Sequence, residues 1–288
     1  MSTGARVHDI GYRSYDGPRG GRLGAIWWLA RWSALRALGR RRGWTAKLMP
    51  ISLALLAFLP GMGLLAVRAL VADQFDAGEL PIDILPYSAY FGVITVIILV
   101  WTAGVAPEMV CPDRRDRVLS LYFATATSPR EYLAGKVLGA LLPLLVITVG
   151  PVLVLFGGNT VFAEDAFSYL GDQVGQLPRI IAGGFLISLY YALLGLAVSS
   201  LTSRRAFAAG GFTGLMLLSA FVAGSLAFPL DLGRGFLALN LFTLPANFTR
   251  HVFFGADDLP VAPLVGVFCG VIVLSALVLL ARYRSPRS

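Results

Sequence analysis

Residues 137–163 read VLGALLPLLVITVGPVLVLFGGNTVFA, and this stretch contains no Asp, Glu, Lys, Arg or His. A helix needs about 20 apolar residues to cross the hydrocarbon core of a bilayer, and this run exceeds that length. Five further uncharged stretches each have at least 20 residues: Leu48–Val67, Ile84–Ala106, Ile180–Ser203, Ala206–Leu230 and Leu259–Ala281. One such run fits a buried helix of a soluble protein, but six in a chain that is 57% hydrophobic do not. The sequence therefore predicts an all-α membrane protein with six transmembrane helices.

The charged residues between these stretches alternate in sign. Twenty of the 24 Lys and Arg residues fall in the two termini and the second and fourth connections, whereas ten of the 16 Asp and Glu residues fall on the other side. Because basic loops remain cytoplasmic, we expect both termini in the cytoplasm and the chain in the inner membrane of a prokaryote. The net charge of +8 does not indicate nucleic-acid binding, because the basic residues adjoin the spans, where topology and anionic headgroups account for them.

The chain divides into an N-terminal part (residues 1–47), a six-span domain (48–281) and a short basic tail (282–288). Four of the five Trp residues precede the first span. On a helical wheel three of them share a broad face, and Ser33 and Arg36 lie opposite. This pattern predicts an interfacial amphipathic helix on the inner leaflet, with a helix packed on a soluble surface as the alternative. The predicted interfacial anchors are Trp27, Trp28, Trp32 and Trp44. For Tyr12–Arg19, a disordered tail and an ordered docking segment both remain open.

The inner loop over residues 107–136 is long for a connector and contains its own helix signals. A mixed-charge cluster over residues 113–117 precedes a short apolar run at 118–123. Ser128, followed by Pro129 and then Glu131, has the pattern of a capping box with proline at the first helical position. We therefore expect a helix, a turn and a second helix that leads into the third span, with an apolar patch typical of a docking surface.

The outer loop over residues 231–258 is also unusual, because residues 236–244 are largely apolar. This run is too short to cross a bilayer, and irregular backbone at membrane depth must be buried against protein. We predict a re-entrant outer segment made of two short helices between spans 5 and 6.

The sequence contains no recognisable catalytic or cofactor-binding set. The spans have no charges, and the two His residues, His8 and His251, lie far apart in the chain. There is no G-x-x-x-x-G-K-[ST] phosphate loop, since Gly135-Lys136 continues into a span. We expect that the chain is not an enzyme and that it binds no metal or cofactor of its own.

At the inner loop the sequence resembles a known family. The run DRRDRVLSLYFATATSPREYLAGK over residues 113–136 is similar to the cytoplasmic loop of ABC-type export permeases of the second exporter class. The layout of an inner amphipathic helix, six spans and a re-entrant outer segment is similar as well.

The resemblance implies that this loop is a coupling helix that contacts a nucleotide-binding subunit. The implied coupling residues are Asp113, Arg114, Arg117, Leu119, Leu121, Tyr122, Ser128, Arg130, Glu131 and Lys136. Arg204 and Arg205 would face the same subunit or the headgroups. The implied partners are two ABC ATPase subunits, which would bind ATP and Mg²⁺, and a second permease that is either the same chain or a related one. The implied function is that of the permease subunit of an ATP-driven exporter.

Three other classes of membrane protein are alternatives to this interpretation. A membrane-embedded enzyme needs paired acids, His clusters or a nucleophile with its base at membrane depth, and the spans offer none. An ATP-independent secondary transporter usually has an ionisable residue near the midplane, and none is found there. A non-transporting membrane anchor for an ATPase complex remains open, because it needs the docking loop but no pathway.

Overall fold

The structure is a computed structural model, and it describes residues 21–40, 43–71, 86–124, 128–163, 165–228, 230 and 233–284. The open question about Tyr12–Arg19, the acidic residues at 73–83 and most of the basic tail at 282–288 lie outside the described residues. Within the described ranges every secondary-structure element is helical.

The helices follow the chain in a simple order. They are α1 (Arg22–Ala37), α2 (Trp44–Val71), α3 (Tyr87–Val93), α4 (Thr95–Arg115), α5 (Leu119–Ala124), α6 (Pro129–Val161), α7 (Ala166–Gln173), α8 (Gln176–Ser200), α9 (Arg205–Ala227), a 3₁₀ helix (Arg234–Leu239), α10 (Leu244–Phe254) and α11 (Val261–Tyr283). Among the described residues, six helices are long and apolar enough to cross a membrane: α2, α4, α6, α8, α9 and α11. The prediction of an all-helical, six-span membrane protein is confirmed.

The bounds of the second and third spans differ from the prediction. The uncharged stretch at 84–106 is interrupted at Ile94, where α3 ends and α4 begins. Helix α4 then continues to Arg115, past the expected end at residue 106, and the helix predicted to begin at Pro129 is continuous with the third span as α6. Residues 113–115 of the mixed-charge cluster are therefore the last turn of a helix, and Asp113 and Arg114 find partners on neighbouring helices.

Two helices form the centre of the bundle. In the most apolar part of α4 and of α8, 72% of the residues are buried, compared with 17% in α2 and 22% in each of α9 and α11. Large apolar side chains such as Leu55, Phe221 and Leu274 are exposed on these outer helices. Exposed apolar faces of this extent are typical of surfaces that contact lipid or another protein.

Helix α1 lies across α6 and α4 through a contact of small residues. Its buried positions are Ala30, Ser33, Ala34 and Ala37. On α6, a Cβ atom added at Gly139 would lie 2.8 Å from the carbonyl oxygen of Ala30, so the two backbones approach closely. The Trp face points outward, since Trp27, Trp28 and Trp32 are about half exposed. The packed face is thus the row of small residues that includes Ser33. We call the end of the bundle at α1 the α1 end.

At the opposite end, the chain between α9 and α11 forms the 3₁₀ helix and α10, as predicted for a pair of short helices. This segment contacts α8, α9 and α11. Two tyrosines from the middle of α8 hold the turn between the short helices: Tyr190 donates to the carbonyl of Leu241 at 3.0 Å, and Tyr191 donates to that of Phe242 at 2.7 Å. The hydroxyl oxygen of Ser219 accepts from the N–H of Leu241 at 3.1 Å. Irregular backbone inside the bundle therefore has its polar groups satisfied.

Candidate functional site

The last turn of α4, the first turns of α6 and the end of α1 meet around one carboxylate at the α1 end. Asp113 on α4 contacts Lys136 Nζ at 2.6 Å and Arg36 Nη2 at 2.8 Å. The hydroxyl of Tyr132 donates to the same carboxylate at 2.9 Å. We refer to Arg36, Asp113, Tyr132 and Lys136 as the Asp113 cluster. The cluster connects α1, α4 and α6 next to the turn that leads into α5.

The Asp113 cluster is buried but well paired. The side chains of Asp113 and Lys136 are each 1% exposed, and that of Arg36 is 37% exposed. Lys136 and Arg36 also donate to the carbonyl of Met109, at 2.8 and 3.1 Å. A buried ion pair is tolerated only when its geometry is good and its remaining hydrogen bonds are made. The contacts to Asp113 are short, and Asp113 and Lys136 make further hydrogen bonds, whereas the Nε of Arg36 is buried without a partner among the described residues. These contacts fix the relative positions of α1, α4 and α6.

The turn between α4 and α5 is a Schellman motif. The N–H of Val118 donates to the carbonyl of Asp113 at 3.1 Å, and that of Arg117 donates to Arg114 at 3.3 Å. Arg117 has φ 52°, in the left-handed region where glycine is the usual residue. A residue with a side chain costs about 1–2 kcal/mol in that conformation, so glycine would fit the turn with less strain than this arginine.

Helix α5 has one buried and one exposed face. Leu119 is buried at 6% exposure, whereas Leu121 is 67% exposed. The ring of Tyr122 is half-buried, 5.4 Å from the ring of Tyr132, and burial raises the pKa of its phenol, so it stays neutral. We define the α5 tip as the exposed residues of the turn and helix: Arg115, Asp116, Arg117, Ser120 and Leu121.

The start of α6 confirms the predicted capping box. The N–H of Glu131 donates to Ser128 Oγ at 3.3 Å, and the N–H of Ser128 donates to the Glu131 carboxylate at 2.7 Å. Pro129 occupies the first helical position. Arg22 at the start of α1 lies 3.6 Å from the same carboxylate, and Arg130 is exposed beside it.

The turn between α8 and α9 lies next to the end of α4. Arg205 forms an ion pair with Glu108 at 2.5 Å, while Arg204 is exposed. Arg114 donates to the carbonyl of Ser200, and the Cys111 thiol lies 3.5 Å from the carbonyl of Thr202. The α8–α9 turn is therefore held against α4, and only part of it faces outward.

The residues for which a coupling role was predicted fall into a buried group and an exposed group. Asp113 and Lys136 lie inside the bundle, with Leu119 beside them, whereas Arg117, Leu121, Ser128 and Arg130 are exposed. Sequence reasoning missed Arg36 and Glu108, which pair with predicted residues across helices. The sequence of α1 alone gives no signal for the role of Arg36, because its partner Asp113 lies on another helix. Among the described residues, no three His, Cys, Asp or Glu side chains come together as a metal-binding group.

Comparison with known proteins gives one family match. Residues 49–281 match the family described as ABC-2 family transporter protein. This match covers all six long apolar helices from residue 49 onward, together with α5 and the α8–α9 turn. No curated protein matched the chain.

Proposed function

The chain belongs to the ABC-2 family of transporter proteins, and from this premise we propose that it is the permease of an ATP-driven exporter whose α5 tip docks on a separate ATPase subunit. Membership of this family, together with the six apolar helices, indicates an integral membrane protein that is a permease subunit of an ABC transporter. The proposal adds the export direction, the docking element and a cytoplasmic orientation of the α1 end in a prokaryotic inner membrane. ATP and Mg²⁺ would be bound by two ATPase subunits, and a second permease would complete the pathway.

The observation that supports the proposal most is that α5 is both exposed and firmly anchored. Leu121, a large apolar side chain at 67% exposure, lies at the tip of the shortest α-helix described. The Schellman turn joins that helix to α4, and the Asp113 cluster joins α4 to α6 and α1. A surface that transmits movement to the spans needs this combination, because a loosely attached loop absorbs displacement instead of passing it on.

The predicted coupling residues then fall into two roles. Arg117 and Leu121 would contact the ATPase, since both are exposed at the α5 tip. Asp113 and Lys136 would position that tip from inside the bundle. The exposed Arg204 of the α8–α9 turn extends the same face.

The proposed mechanism follows from this geometry. ATP binding closes the two ATPase subunits, and the α5 tip moves with them as one body with α4 and α6. The paired permeases change from inward-facing to outward-facing, and cargo leaves along their interface. The weakly buried faces of α2, α9 and α11 offer surfaces for lipid and for the second permease. Because the apolar spans lack midplane charges, an amphiphilic cargo fits better than a strongly charged one.

The test is affinity purification of the tagged full chain from its native membranes in mild detergent, with identification of every co-purifying protein. We expect a stoichiometric soluble protein with a Walker A motif. The double variant R117G/L121A should lower its recovery at least tenfold, as expected when two central contacts of an interface are removed. Glycine suits φ 52° at residue 117, so the variant removes the guanidinium without straining the turn.

The matched control is L170A, which removes an exposed leucine on α7 at the opposite end and should leave recovery unchanged. Purification of the intact chain alone, in several detergents, would contradict the proposal and favour an ATP-independent secondary transporter. Recovery of the ATPase without any transport in reconstituted vesicles would favour the membrane anchor instead. Equal recovery of the ATPase with R117G/L121A and with the wild type would show that the α5 tip is not the docking element.

A further inference from the structure

A groove of about 1370 Å³ opens on the outside of the bundle between α6 and α11, next to the start of α1. Its walls are apolar and include Leu133 and Val137 from α6 and Leu277 and Leu280 from α11. Its mouth is basic: Arg22, Arg130 and Arg284 line it, and all three are exposed. Glu131 also lines the mouth and pairs with Arg22, so the four groups together carry two net positive charges.

The basic and apolar parts of this groove are separated along the membrane normal. Helix α6 runs away from the α1 end and α11 runs toward it, so Arg130 and Arg284 lie at the same level. Val137 and Leu277 are each seven residues deeper on their helices, which corresponds to about 10 Å at 1.5 Å per residue. The groove therefore has a charged rim at one level and an apolar slot that extends from it toward the middle of the spans.

We infer that this groove binds an anionic phospholipid, with the phosphate against Arg22, Arg130 and Arg284 and one acyl chain between α6 and α11. An apolar slot that faces hydrocarbon is filled by hydrocarbon, because an empty slot loses dispersion contacts along its whole lining. Basic pockets between membrane helices select acidic headgroups, because their positive side chains attract the negative charge of the headgroup. The size of the groove, and the position of its basic rim at one end of an apolar slot, match a single lipid with its headgroup at the α1 end.

Charge also argues against the chain's own termini as the occupant. Residues 1–20 contain three arginines against two aspartates, and residues 285–288 contain Arg287 and no acid. Neither segment has a net negative charge to match the basic mouth. A phosphate group on a lipid supplies that charge, and its acyl chain supplies the apolar part that a free phosphate lacks.

The inferred site shares Ser128, Arg130 and Glu131 with the coupling residues that the resemblance implies, but it does not include the α5 tip. Arg22 and Arg284, which the test changes, belong neither to the α5 tip nor to the Asp113 cluster, and lipid binding requires no ATPase. A lipid in the groove would join α1, α6 and α11 at the level where α6 begins. The inference therefore stands or falls independently of the export proposal.

The experiment is native mass spectrometry of the purified full chain, delipidated in detergent and titrated with phosphatidylglycerol or phosphatidylcholine of the same acyl chains. We expect phosphatidylglycerol to bind more tightly. The variant R22Q/R284Q should weaken that binding by roughly 10- to 30-fold, from about 1 kcal/mol for each arginine near the membrane surface, and leave phosphatidylcholine binding nearly unchanged. The control R179Q/R234Q removes two exposed arginines at the opposite end and should keep the preference.

A second variant tests the slot without a change of charge. A276F adds a ring to a residue that lines the groove on α11, and binding of both lipids should fall. Three results would overturn the inference: equal affinity of the wild type for the two lipids, an unchanged preference in R22Q/R284Q, or displacement of phosphatidylglycerol by excess glycerol 3-phosphate. Lipid binding that appears only after deletion of residues 1–20 would identify the chain's own N-terminal segment as the occupant and would also overturn it.

Discussion

The Asp113 cluster at the α1 end and the turn at residues 240–243 are both buried polar sites, but they are built from different chemistry. The first uses a carboxylate between an ammonium and a guanidinium group. The second uses the hydroxyl groups of Tyr190 and Tyr191 as donors to backbone carbonyls, with Ser219 as an acceptor. Charged groups hold the part of the molecule that connects α5 to the spans, and neutral groups hold the turn at the opposite end.

The difference shows how the two sites respond to the loss of one partner. Removal of a neutral donor leaves one carbonyl without a hydrogen bond, which is a local and limited cost. Removal of one ion leaves its partner charged and poorly solvated, which is a much larger cost. The α1 end is therefore expected to be rigid and sensitive to single substitutions, whereas the 240–243 turn should tolerate them better.

The largest effect is expected for K136M, which leaves the Asp113 carboxylate without its closest cation. We expect the free energy of unfolding to fall by about 3 kcal/mol, because Arg36 is only partly buried and compensates incompletely. The measurement is reversible unfolding in mixed micelles, followed by tryptophan fluorescence of the Trp-rich α1 region.

The control for K136M is the double variant D113N/K136M, which removes both charges and keeps an acceptor for Tyr132 and Arg36. It should recover more than half of the loss. If the two substitutions are simply additive, the ion pair contributes nothing specific, and the contrast between the two sites disappears.

An intermediate effect is expected for G139A, at the contact between α1 and α6. The new Cβ would lie 2.8 Å from the backbone oxygen of Ala30, which cannot move without shifting α1. Overpacking of this kind costs about 2 kcal/mol. Protease accessibility of α1 and the unfolding midpoint are the two readouts.

The matched control is G157A on the same helix, where an added Cβ meets nothing within 4 Å. It should leave stability unchanged or raise it by up to about 1 kcal/mol through helix propensity. Similar losses for both substitutions would mean that α6 is sensitive along its whole length and that α1 is not specifically seated on Gly139.

The smallest effect is expected for Y191F, which removes the donor to the carbonyl of Phe242. The free energy of unfolding should fall by about 1–2 kcal/mol, less than with K136M. Y169F, which removes a half-buried hydroxyl 2.9 Å from that of Tyr87, serves as the comparison and should cost less than Y191F. A loss with Y191F as large as that with K136M would reverse the proposed contrast.

Local features of this fold were predictable from the sequence. The six spans follow from uncharged length, and the start of α6 follows from Ser128, Pro129 and Glu131, because a cap depends on residues within one turn. The two short helices between α9 and α11 were also expected, since an apolar run too short to cross must pack against protein.

Features that depend on distant parts of the chain were not predictable. The pairing of Arg36 with Asp113 joins positions 77 residues apart, and that of Arg205 with Glu108 joins positions 97 apart. On a helical wheel Ser33 and Arg36 simply look polar, so the packed face of α1 was not recognised. Its close approach depends on Gly139 of α6, which a single-helix pattern does not contain.

The burial of Asp113 has a consequence for biosynthesis. The carboxylate of α4 emerges from the ribosome before Lys136 does, so for a short time this acid has no ammonium partner. Acidic side chains in a span disfavour insertion by the translocon. We therefore expect α4 and α6 to leave the translocon together as a hairpin. Nascent chains in which α4 has left the ribosome but Lys136 has not should keep Cys111 accessible to an aqueous thiol reagent, and longer chains should protect it.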